Sequence, residues 1–255
     1  MPRFQDDAIV IRESDWSETS QVVTLLTAAH GKVRGLAKGT KRMTPSSVAR
    51  FSGGIEPLTR GQIVGTLKPI TGLANLTEWD LVEPYFHLRT NLVAMHLALY
   101  AADVANAMLA DHDAHPGTFA AMAELLPALA TENERERAML LFQWRLLTDG
   151  GLWPELEKDV HSGAQLPAKG TLVFDPHGGG LTSGILGAGD ARGWKVRGET
   201  VALLRGLVAG NGAVGAPVEA LRRANRLLCS YLRAVLDREL PTMAFILSTG
   251  EGRTR

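Results

Sequence analysis

His30-Gly31-Lys32-Val33-Arg34-Gly35-Leu36-Ala37-Lys38-Gly39-Thr40-Lys41-Arg42 is the stretch on which the reading of the fold turns. Gly31 can take the positive φ of a tight turn, so the stretch opens as a hairpin. Lys32 and Arg34 alternate with Val33, the pattern of a half-buried strand. Beyond Ala37 the apolar period stops and a basic loop begins. Between residues 30 and 70 stand eight cations (Lys32, Arg34, Lys38, Lys41, Arg42, Arg50, Arg60 and Lys68) against one acid, Glu56. The whole chain has 27 basic and 27 acidic residues, so this charge is concentrated by position. Such a patch fits a polyanion.

Outward from the hairpin, residues 1–82 read as β structure. Ala8–Ile11 is a short strand ended by polar Glu13-Ser14-Asp15. Gln21–Thr27 is rich in β-branched residues and leads into the Gly31 turn. Lys38–Ser47 reads as a loop, Phe51–Leu58 and Gln62–Ile70 as strands, and Leu73–Trp79 as the last strand. Short strands joined by tight turns fit a small closed barrel better than a sandwich.

At Glu83-Pro84 the period changes to three and four. Residues 84–108 read as one amphipathic helix, followed by helices over 119–129, over 131–150 with a Thr131/Glu134 capping box, over 199–207, and after Pro217. Residues 152–195 are broken by glycine and proline, with Leu172-Val173-Phe174 as the one strand candidate. The fold class is therefore α+β and multidomain. A small closed barrel over 1–82 precedes an all-α helical domain over 83–247, which carries an irregular insertion over 152–195. Residues 248–255 read as a frayed tail.

Composition narrows the function. Forty-five per cent hydrophobic and 21% charged residues are ordinary for a globular protein. The single cysteine, Cys229, excludes an internal disulfide and any multi-cysteine metal site, and its helical setting points to burial. Met1–Asp15 has no apolar core of a signal peptide, and no window is long and apolar enough for a membrane span, so a cytoplasmic protein is expected. No Walker loop, dinucleotide fingerprint, nucleophile elbow or helical His-Glu-x-x-His is present, and no enzyme is expected. The repeated Asp159-Val160-His161 and Asp175-Pro176-His177 offer the one alternative, a metal-dependent enzyme. Residues 103–160 hold eleven acids and four bases, a face unsuited to DNA. Arg222, Arg226 and Arg233 share one face of the last long helix, where they could hold phosphate or an acidic peptide tail, or pair with neighbouring acids.

With these residues in hand, the chain resembles the bacterial RecO recombination mediators. Carrying the resemblance are Ala8-Ile9-Val10-Ile11-Arg12, Ser17-Glu18-Thr19, Val23–Leu26 and His30–Gly39, then Leu76-Thr77-Glu78 with Leu81–Pro84. Arg145-Leu146-Leu147, Phe174-Asp175-Pro176, Arg226-Leu227-Leu228 and Arg238-Glu239-Leu240 follow in order. The resemblance implies that the barrel over 1–82 is an oligonucleotide-binding (OB) fold and that the protein is a nucleoid-associated mediator, which binds single- and double-stranded DNA and anneals complementary strands. With the partner RecR it would help load RecA onto DNA coated by single-strand-binding protein (SSB), whose acidic tail docks on the helical domain. On this reading Lys32, Arg34, Lys38, Lys41, Arg42 and Arg50 are the DNA-binding residues, and Arg222, Arg226 and Arg233 are secondary contacts to phosphate or the SSB tail. Many relatives carry four zinc-binding cysteines in the irregular region. The corresponding positions here fall near Asp159, Ser162, Ser183 and Leu186, so no zinc or other cofactor is expected. The competing reading is a protein-interaction adapter that binds no DNA.

Overall fold

The computed structural model describes residues 3–42, 44–51, 54–67, 72–167, 172–183 and 193–248. Two compact units divide the chain, 1–131 and 132–255. In the first, β1 (Arg3–Ser17), β2 (Ser20–Thr27) and β3 (Gly31–Ala37) form an antiparallel meander. After α1 (Pro45–Phe51), β4 (Arg60–Thr66) pairs antiparallel with both β1 and β5 (Ala74–Glu83), and β5 meets β3 in parallel. The order β1-β2-β3-β5-β4 closes into a barrel, the OB-like architecture expected. Its core takes Val10, Val23, Leu25, Val33, Ile63 and Trp79 from the strands, and Phe51 from α1. At the parallel junction a Cβ on Gly35 would stand 2.5 Å from the Leu76 side chain, so glycine lets the two strands approach.

Four readings of local structure need correction. β1 runs fifteen residues rather than stopping at Ile11. The polar residues Glu13–Asp15 keep their backbone pairing with β2 while their side chains face water. The described residues of the strand read over 51–58, Phe51 and 54–58, form no strand, and 52–53 lie outside the described residues. Phe51 ends α1 and is fully buried, so its apolar signal is that of a helix end plugging the barrel. The loop read over 38–47 gives way at Pro45 to α1, whose first turn is held by Thr44: its carbonyl accepts from Val48 N at 3.0 Å and its hydroxyl from Ser47 N at 3.3 Å. The helix over 84–108 is two, α2 (His87–Thr90) and α3 (Leu92–Met108). Asn91 between them is extended, and its side chain caps α3 by accepting from Ala94 N at 3.0 Å. α4 (Pro116–Ala128) completes the unit, with Pro116 in its first turn.

The second unit holds α5 (Glu132–Asp149), β6 (Leu172–Asp175), β7 (Gly180–Thr182), β8 (Trp194–Val196), α6 (Gly198–Val208), α7 (Val218–Val235) and α8 (Ala244–Leu247). The irregular region thus contains an antiparallel sheet, β7-β6-β8, where one strand was expected. Three-residue strands are too short to show a period. α5 packs on α7, and Phe142 and Leu146 of α5 and Ala224 and Leu228 of α7 are fully buried. A polar seam crosses that packing: Gln143 Nε2 donates to Asn225 Oδ1 (2.8 Å), and Asn225 Nδ2 donates to the Glu136 carbonyl (2.9 Å) and carboxylate (2.8 Å). Cys229 is buried, as expected. The tail reading falls mainly on 249–255, outside the described residues.

Candidate nucleic-acid interface

The site begins with the turn that joins β2 to β3. Asp6 holds it, its Oδ2 accepting from the backbone N–H of Ala29 (3.0 Å) and His30 (3.1 Å) and lying 2.7 Å from His30 Nδ1. Thr27 Oγ1 donates to the Gly31 carbonyl at 2.8 Å, and Gly31 sits at φ +68°. With the turn fixed, the register of three strands follows. Val10, Leu25 and Val33 align and point into the barrel. On the outer face lie two neighbouring rows: Ile9, Leu26 and Lys32, then Arg12, Thr24 and Arg34. α3 packs across β1 and α4 against β2, and Ile9 and Leu26 are fully buried. The second row stays open and lines a cavity of about 370 Å³, with Ser14 beside Arg12 and with Lys32 and Asp111 at one end.

The cations divide by what they already hold. Lys32 is the least available, with 12% of its side chain exposed. Its ammonium donates to the Asn106 carbonyl (2.9 Å) and pairs with Asp111 (3.1 Å), tying β3 to the end of α3. Arg34, Lys38 and Arg42 are exposed, and their side chains have no ion pair or hydrogen bond among the described residues. Lys41 pairs with Asp15. Its backbone N–H donates to the Thr19 carbonyl at 3.3 Å, which sets the basic turn after β3 beside the β1–β2 turn. Trp16, near that turn, is 65% exposed, whereas Phe51 and Trp79 are core. Arg50 lies on α1, with Nε donating to the Ser46 carbonyl at 3.2 Å. Arg60 is bound by the Asp7 carboxylate at 3.0 and 3.1 Å, which raises its pKa further above the already high guanidinium value. Lys68 falls outside the described residues.

Arg12 is the cation that counting charges over 30–70 misses. Strict alternation from Ala8 and Val10 would send it into the barrel. A bulge between Val10 and Arg12 adds one residue and reverses the phase, bringing Arg12 outside, level with Arg34 across Thr24. Facing cations on the β1–β2–β3 surface can hold a phosphate, and the neighbouring basic turn can continue along a phosphate backbone.

The second unit disperses the other predicted residues. Arg222 is held by Glu136 (3.1 Å) and Glu219 (2.8 Å), which raise its pKa. Arg226 and Arg233 border two cavities elsewhere on α7, and Arg233 pairs with Glu239 at 3.1 Å. The Asp-x-His pairs serve the irregular region. Asp159 Oδ1 accepts from the N–H of His161 and Ser162 (both 3.0 Å), and Oδ2 from Ser183 N (2.7 Å), Ser183 Oγ (3.0 Å) and Thr182 Oγ1 (2.9 Å). These bonds, those from the backbone of Ser162 and Ser183 foremost, hold the carboxyl far below the usual carboxylate range. His161 Nε2 lies 3.0 Å from Asp175 Oδ2. Asp159, Ser162 and Ser183 do not fit a zinc ion, because both oxygens of the one carboxylate are already taken by the N–H of Ser162 and the N–H and O–H of Ser183. No group of three or more His, Cys, Asp or Glu is arranged for a metal among the described residues. Leu186 lies outside them.

With this geometry established, comparison with known proteins is specific. Residues 1–85 match the family described as Recombination protein O N terminal, and 89–244 that described as Recombination protein O C terminal. The chain is similar to the DNA repair protein RecO of Anaeromyxobacter dehalogenans strain 2CP-C, at 31% identity over 98% of each chain. It is similar to that of Geobacter sulfurreducens, at 31% over 94% of this chain and 96% of the relative. The protein of the same name from Pelotomaculum thermopropionicum is 26% identical over 98% and 96%.

Proposed function

We propose, because the chain belongs to the RecO family of DNA repair proteins, that the β1–β2–β3 face binds DNA through phosphates with little base preference. The observation that carries this is the pairing of Arg12 and Arg34 across Thr24 on an OB-type barrel, continued by the free cations Lys38 and Arg42. The strand 2–3 face and the adjoining loops are where such barrels take oligonucleotides. Lys41 and Arg50 extend the track, and Trp16 offers one stacking surface.

On this reading the protein is a non-enzymatic mediator. Residues 1–82 bind single- and double-stranded DNA and bring complementary strands together. Residues 83–247 receive RecR and the SSB tail, so that RecA is loaded onto SSB-coated strands. No described helix is long and apolar enough to cross a membrane, in keeping with work beside the nucleoid in the cytoplasm. The adapter reading also has an observation behind it: Val82, Phe86, Leu92 and Val93 are exposed apolar side chains close in sequence.

A triple variant, Arg12→Glu, Arg34→Glu and Lys38→Glu, separates the two. The proposal expects the folded variant to lose oligonucleotide binding by at least about a hundredfold at low salt, the scale of three reversed phosphate contacts, and to lose annealing with it. Wild-type annealing by the folded variant sinks the DNA-binding face and leaves the adapter.

A further inference from the structure

On the outer side of α7 lie two adjoining cavities, about 490 and about 230 Å³, which share Trp194 and Ser230. Trp194 is fixed there by aromatic packing. Its ring stacks on Phe174 at 5.8 Å and 8°, and Phe174, fully buried, is braced edge-on by Tyr231 at 5.2 Å. One face of the indole is thus covered by the interior, while the ring stays half-buried at the wall of both cavities.

Around the smaller cavity stand four cations, Lys195 and Arg197 from β8 and its end, Arg223 and Arg226 from α7. Only Arg223 has an acid, Glu199 at 2.9 Å. The charged groups of Lys195, Arg197 and Arg226 have no partner among the described residues. Arg223 also keeps a buried Nε–H with no acceptor there. A buried donor of this kind is costly unless an oxygen reaches it from outside. The larger cavity differs, since its two arginines, Arg233 and Arg238, are matched by Asp237 and Glu239, with Arg233 paired to Glu239. Anion affinity therefore concentrates at the small end, with the tryptophan between the two.

We propose that this groove is a second site for single-stranded nucleic acid, with a base stacked on Trp194 and its flanking phosphates on Arg226, Arg223 and Lys195. It rests on the reading of the chain as DNA-binding. Trp194 lines both cavities, where a base can stack on the indole, and base–aromatic stacking beside cations is how single strands are held without sequence readout. An acidic peptide would use the same charges but needs pockets for its apolar side chains. Here the apolar lining, Trp194, Val196, Leu227 and Ala234, borders open cavities.

The test is photo-crosslinking of the full chain to an oligothymidylate carrying 5-iodouracil, with the linked peptides mapped. The wild type should link at the peptide containing Trp194, and an Arg12→Glu/Arg34→Glu variant should keep that link. In the double-variant background, Trp194→Ala should weaken residual binding about 5- to 150-fold, the span of one lost base stack, while Trp194→Phe retains most of it. Arg226→Glu, which breaks no internal bond, should abolish the link with the circular dichroism unchanged. Links confined to 1–131 in a wild type that binds DNA overturn this inference alone. So does an Asp-rich peptide ending in Phe that protects Trp194 when the oligonucleotide does not. A wild type that binds no oligonucleotide at low salt removes the underlying reading as well.

Discussion

Gly31 shows how much one residue decides. Its φ of +68° is one reason for glycine, and the second is space, because a Cβ there would stand 2.0 Å from the Asp113 carbonyl oxygen. Gly31→Val is expected to destabilise the first unit by more than about 1 kcal/mol, seen as a lower denaturant midpoint, with the site disordered alongside. Lys32, its neighbour, makes the opposite point. In sequence it is indistinguishable from Arg34, both being polar positions of one alternating strand. In space Lys32 falls in the row covered by α3, where the Asn106 carbonyl accepts from it and Asp111 neutralises it, and Arg34 falls in the open row. Lys32→Met is therefore expected to lower stability by about 1–2 kcal/mol while leaving the salt dependence of DNA binding unchanged. Denaturation and binding titrations on the same preparation check both halves.

At the scale of elements, the irregular region depends on one carboxylate. Asp159 gathers the turn at 161–162 and the strand end at 182–183, a job that needs the ionised form. Its pKa is depressed in the folded state, so its contribution is fully present above the unfolded value of about 3.9 and fades as pH falls below that. Asp159→Asn should be less stable than the wild type at pH 7, and the gap should narrow progressively as pH falls below about 4. Denaturant midpoints of both proteins across pH 3–7 measure this, and a gap that stays constant contradicts it. The seam between α5 and α7 gives a companion expectation. Asn225→Ala strands the buried Gln143 amide and removes two bonds to the half-buried Glu136, at a cost of about 2 kcal/mol by calorimetry or denaturation.

What the sequence showed and what it hid divide along the same lines. Long β-branched or amphipathic runs such as Gln21–Thr27 and 218–235 carry their own period, and the barrel and main helices followed from them. Three things had no local signal. The bulge before Arg12 reverses a phase that alternation fixes. Phe51 reads apolar whether it belongs to a strand or to a helix end. β7 and β8 exist only because β6 lies between them. The partners of Lys32, Lys41 and Arg222 come from residues 79, 26 and 86 positions away, at Asp111, Asp15 and Glu136, so charge counting overstated the free cations.

For the whole molecule, neutrality makes location decisive. A chain with 27 charges of each sign cannot hold DNA by its net field, so affinity must come from local groups of cations left unpaired at the surface. On the barrel these are Arg12, Arg34, Lys38 and Arg42, with Arg50 beside them. If all five meet single-stranded phosphates, the slope of log affinity against log salt is at most about −3.5 from this face. The most direct measurement is that slope for a labelled single strand, taken for the wild type and for Arg12→Gln/Arg34→Gln. The account predicts a clearly salt-dependent wild type and a slope shallower by about 1.4 in the double variant. A slope that the double variant leaves unchanged, or binding that ignores salt, contradicts it.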